Sequence, residues 1–116
     1  MATRLAIDQR VEIELKSLRL MLGDLPEVAQ EWDELSDGER VSWSLDWDQL
    51  MGALKVTLDP YYRSGAMTDD QRARYREILR QLKEALPLIQ RLQLYPPPVP
   101  LDAADAPAKP EAPGRG

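Results

Sequence analysis

Apolar side chains return every three or four positions along four stretches of this chain, and that spacing commits it to helices. Ile7, Val11, Leu15, Leu18 and Leu22 mark one face of a first helix, from Leu5 to Leu22. Gly23 offers the left-handed position at which helices end, and Asp24 and Pro26 suit the opening of another. The second helix runs to about Leu35, with Leu25, Val28, Trp32 and Leu35 turned inward.

Ser36-Asp37-Gly38-Glu39 has the form of a capping box, in which serine and glutamate side chains satisfy each other's backbone amides. It opens a third helix, Asp37 to about Leu58, whose inward stripe is Trp43, Trp47, Leu50, Leu54 and Leu58. Pro60 is expected to stop it and to push Asp59 out of helical geometry. Thr68-Asp69-Asp70-Gln71 is a second capping box. The fourth helix buries Tyr75, Ile78, Leu79, Leu82, Leu86 and Ile89, kinks at Pro87 and ends near Tyr95. The expected fold is all-α: an irregular four-helix bundle over residues 1–95, with the third and fourth helices as an antiparallel hairpin. Seven of the ten prolines fall from Pro96 onward, so residues 96–116 are expected to form a disordered tail that Tyr95–Pro100 carries away as a stiff spacer.

Chemistry is narrowed by what the chain lacks. With no cysteine and no histidine, disulfides, thiolate zinc sites and serine or cysteine triads cannot be assembled from this chain. The same composition suits a reducing cytoplasm, and no apolar stretch approaches the ~20 residues needed to span a bilayer. Charge is unevenly spread: residues 24 to 59 hold ten acidic and two basic side chains, whereas residues 60 to 91 hold seven basic and four acidic. Glu27, Glu31 and Glu34 fall on one helix face, and Arg72, Arg76, Arg80 and Lys83 on another. A pI of about 4.7 is far from the basic footprint of a nucleic-acid-binding domain, so nucleic acid is not the expected partner.

Carboxylates are the remaining catalytic material. Glu31-x-x-Glu34 resembles the Glu-x-x-Glu with which the all-α nucleoside triphosphate pyrophosphohydrolases hold magnesium. That resemblance implies a Mg²⁺-dependent nucleotide hydrolase, the alternative reading of the chain. The chain departs from the family on the next helix: Asp46 and Asp48 stand two apart, facing different sides, where a Glu-x-x-Asp would be needed.

Stripped of the usual catalytic residues, the chain reads better as a non-enzymatic module without a cofactor, an adaptor or regulator of another protein. One specific form is an acidic, antitoxin-like inhibitor of a basic partner; self-association into a homo-oligomer is another. Candidate contact residues are the aromatics Trp43, Trp47, Tyr61 and Tyr62 and the cations Arg72, Arg76 and Arg80.

Overall fold

The computed structural model of the chain describes residues 2–102, with side chains from residue 7 onward. Among the described residues there are helices, turns and no strands. Helix α1 spans Ala2–Glu31 and ends in a 3₁₀ turn at Trp32–Glu34. Helix α2 spans Asp37–Ala53, continues through a π-helical segment at Leu54–Leu58, and passes into a short helix α3 at Asp59–Arg63. Helix α4 spans Asp69–Arg91. The described residues therefore make three rods rather than the four expected.

The first correction is at Gly23, where no break occurs: α1 runs through it and through Pro26. The reason lies in the stripe. Val11, Leu15, Leu18, Leu22, Leu25 and Ala29 keep helical spacing across the glycine, and all are buried. A buried leucine contributes roughly 1.5–3 kcal/mol, so keeping Leu25 in register outweighs the ~1 kcal/mol that a helical glycine costs.

Pro60 is the second correction, since it does not stop its rod. Asp59 keeps helical angles (φ −64, ψ −46), and its N–H reaches back five residues to the Leu54 carbonyl. That wider turn moves the Val56 carbonyl away from the proline ring, which would strike it in a regular α-helix. Leu54 and Leu58 stay fully buried as a result.

Both capping boxes form as expected. Ser36 Oγ accepts from the Glu39 amide at 3.1 Å and Glu39 Oε1 accepts from the Ser36 amide at 2.8 Å. Thr68 and Gln71 exchange the equivalent pair at 3.1 and 3.0 Å. Helix α4 continues past Pro87 but ends at Arg91, earlier than the spacing suggests. Gln93, at φ 59, takes the left-handed position, and the Leu94 amide bonds back to the Ile89 carbonyl at 2.9 Å. The backbone thereby adopts the helix-ending motif that glycine normally serves, with Leu94 buried beside Ile89.

Cross-chain contacts give the topology. Gln71 meets Asp8 and Glu12, and Arg91 reaches the Ala29 carbonyl at 2.8 Å, so α4 runs parallel to α1. Ile7 and Arg10 share a shallow depression with Val56, Thr57 and Pro60, so the α2–α3 rod runs antiparallel to α1. Tyr75 lies beside Asp59, and Tyr95 beside Trp47, so α4 is antiparallel to α2. The core joins all three rods through Val11, Leu18, Trp47, Leu54, Ile78 and Leu82.

The tail expected to leave the domain at Pro96 instead begins packed. Val99 is 9 % exposed, Pro97, Pro98 and Leu101 are half-buried, and the Tyr95 carbonyl accepts the Trp47 indole N–H at 2.8 Å. That bond satisfies the one donor a buried tryptophan carries. Residues 103–116 lie outside the described residues.

Deleting 96–116 is accordingly expected to lower thermal stability by about 1–3 kcal/mol, from lost burial of Val99 and Leu101. Ending the chain after Asp102 keeps those contacts and serves as the control. Equal melting temperatures for the two truncated chains would contradict the packed strap.

Candidate interaction surface

The aromatic candidates separate into two clusters. Trp47 is fully buried, and Trp43, half-buried, stacks on it with ring centroids 5.8 Å apart. The strap at Tyr95 and Pro98 lies against the same stretch of α2, so these rings serve the core and the tail. Tyr62 packs its ring 4.7 Å from that of Tyr75, and the Arg72 guanidinium sits 4.9 Å above Tyr62. The Tyr75 hydroxyl donates to Asp59 at 3.0 Å, and Asp59 also accepts from Arg63 at 2.8 Å. Burial, then the Asp59 carboxylate beside it, raises the Tyr75 pKa above the ordinary phenol value. The phenol stays protonated and keeps its donor role. Tyr61, half-buried, borders the depression that holds Ile7.

The basic stripe of α4 does not act as a row of free charges. Arg72 is taken up by the Tyr62 ring. Arg80 is gripped within its own helix by Glu77 on one side and by Glu84 at 2.6 Å on the other. Those carboxylates, Glu77 first, raise the Arg80 pKa. Arg76 stands half-exposed between them.

The acidic candidates do not converge either. Glu31 closes α1 and Glu34 belongs to the 3₁₀ turn, while Asp46 borders the groove between α1 and α2 and Asp48 lies beside Tyr95 and Pro98. Among the described residues no group of three or more acidic side chains is arranged to hold a metal ion.

A polar network joining α1 to α4 was not legible in the sequence. Gln71 is 2 % exposed. Its side-chain oxygen completes the capping box, while its Nε2 donates to Asp8 at 3.0 Å and to Glu12 at 2.8 Å. Arg74 donates to the same Glu12 oxygen at 2.8 Å and to Asp70 at 2.9 Å. The only signal was that a capping-box glutamine, unlike a glutamate, retains an amide with donors to spend elsewhere.

Above this network a groove opens between α1 and α4, with Leu15 and Ile78 in its floor and Ile13, Lys16, Leu20 and Gln81 on its walls. Ile13 is 63 % exposed and Leu20 61 %, on the side of α1 opposite its buried stripe. Continuing along that side, Gly23 has nothing within 4 Å of where a Cβ would stand, and Glu27 is exposed. Neither Lys16 nor Glu27 makes an ion pair or side-chain hydrogen bond within the described residues. Among the described residues this face is one of the apolar surfaces left uncovered; Val41 and Leu45 on α2, each 57 % exposed, and Val56 are others.

No protein-family model, curated protein or solved structure matches the chain. No described helix is long and apolar enough to cross a membrane.

Hydrogen bonds from Arg74 and then Gln71 lower the Glu12 pKa from its ordinary value near 4.5. A carboxylate lowered in the folded state adds stability that is complete above its unfolded value and fades as pH falls through the folded one. Glu12→Gln is therefore expected to flatten the stability–pH curve below about pH 5, read by urea melts at several pH values. An unchanged acid slope would show that the network carries no such linkage.

Proposed function

We propose that this protein is a helical protein–protein interaction module that binds through the outer face of α1 and the adjoining α1/α4 groove. The observation that carries the reading is the pair Ile13 and Leu20, large aliphatic side chains more than half exposed on one unpaired helix face. Seated in a partner they would gain the burial they lack, and side chains of this kind are how a helix anchors in a groove. The absence of histidine and cysteine, and the dispersal of Glu31, Glu34, Asp46 and Asp48, favour binding over hydrolysis. The proposed setting is the cytoplasm, where a chain without cysteine loses no stabilising bond to reducing conditions.

A photo-crosslinking amino acid at position 20, in cells that make the protein, is expected to yield a discrete adduct with another polypeptide chain. The same group at exposed Ala73, on the outer side of α4, is expected to yield none. Equal labelling at both positions, or none at 20, would remove this reading.

A further inference from the structure

Ile13, Lys16, Leu20, Gly23 and Glu27 follow one another at intervals of three and four, and all five are exposed along one side of α1. This is the spacing of a two-helix seam. Its contents match no uniform partner: one cation, one anion, two aliphatic side chains and a notch. From that pattern we infer that the occupant is a second copy of this chain, with α1 packed antiparallel against α1 of its partner about a two-fold axis. The inference rests on the α1 face being the binding surface, and it names the partner.

Register and charge select the arrangement independently. A two-fold axis makes every contact occur twice, with each residue facing its complement on the other copy. When Leu20 is set opposite the open notch at the partner's Gly23, the same register sets Lys16 opposite the partner's Glu27. Both relations then repeat by symmetry. Sliding the pair by one heptad in either direction loses the leucine–glycine fit and the charge match together. A parallel, in-register pair would instead oppose lysine to lysine and glutamate to glutamate, which is repulsive.

The arrangement also gives Gly23 a purpose that the described residues of its own chain do not. Nothing within the described residues approaches it, so a side chain there would meet open space. An alanine at that position would favour the helix, and the described residues offer no reason to forgo it. A close approach by the partner's Leu20 supplies one, because the missing side chain lets the two helix axes draw together. Lys16 and Glu27 are likewise left unpaired among the described residues and are paired in this arrangement by the second copy.

Sedimentation velocity on the purified full chain, from about 10 to about 500 µM, tests this over the micromolar range expected of so small a seam. A monomer–dimer equilibrium is expected, weakened by added salt. Lys16→Glu and Glu27→Lys are each expected to weaken dimerisation about tenfold or more, and the double variant to recover it. Gly23→Leu is expected to fold, since its side chain enters open space, yet to associate more weakly. Circular dichroism confirms that each variant is folded, as all the altered positions are exposed. A monomer at every concentration, or a dimer indifferent to the single charge reversals, overturns the inference. If the wild-type chain is monomeric but the position-20 crosslink forms with a different polypeptide, self-pairing falls and the interaction module stands. If both experiments are negative, both fall.

Discussion

Helix α1 is the wall against which the rest of the protein is built. Its inner stripe, Val11 to Ala29, lies between α2 on one side and α4 on the other, and the shared core closes around it. Six buried positions spread over the helix outweigh a glycine and a proline that would end a less well packed helix. Propensity, about 1 kcal/mol for the glycine and about 3 kcal/mol for the proline, yields to burial when the apolar spacing stays in step. The same length that lets α1 support both neighbours leaves its outer side long and uncovered by the described residues.

Polar contacts fix how the rods sit along that wall. Gln71, Glu12 and Arg74 pin the start of α4 to the first half of α1. At the other end Arg91 donates to the Ala29 carbonyl, and Arg40 donates to the carbonyls of Trp32 and Asp33 at 2.8 and 3.1 Å. Two guanidinium groups thus satisfy carbonyls at and just beyond the end of α1, where the helix dipole favours positive charge. On the far side of α2, Trp47 fastens the strap through the Tyr95 carbonyl, and Val99 follows it into the core.

Local signals in the sequence carried most of the secondary structure. Ser36/Glu39 and Thr68/Gln71 were readable as capping boxes because both partners lie within four residues of one another. The inward faces of the third and fourth expected helices were also readable, with Trp47, Leu54, Leu58, Tyr75, Ile78 and Leu82 all buried. The misreadings came where a local rule met a non-local one. Gly23 and Pro60 each suggest an end, and burial of Leu25 and Leu58 carries the chain through both. The proline-rich composition after Tyr95 suggested a free tail, yet a single apolar residue, Val99, together with one indole donor, holds its beginning in place. The candidate site was least legible of all. Of the residues chosen for hot-spot chemistry, Trp47 is buried with its indole bonded to Tyr95, Arg80 is ion-paired within its helix and Trp43 stacks half-buried on Trp47, whereas Ile13 and Leu20 were hidden by sharing a helix with a stronger apolar stripe.

Under the proposed function, the outer face of α1 is where a partner would bind. If it exists to receive its own copy, the two helices must run in opposite directions with their middles, near Leu20 and Gly23, in contact. Double electron–electron resonance on the chain carrying a single spin-labelled cysteine in place of Gln9 reads that geometry directly, since the chain has no other cysteine. The antiparallel register separates the two labels by roughly 25 residues of helix, so a distance near 40 Å is predicted at ~1.5 Å of rise per residue. A distance below about 20 Å, the value for side-by-side parallel helices with axes ~10 Å apart, would contradict the account, as would the absence of any dipolar coupling at high concentration.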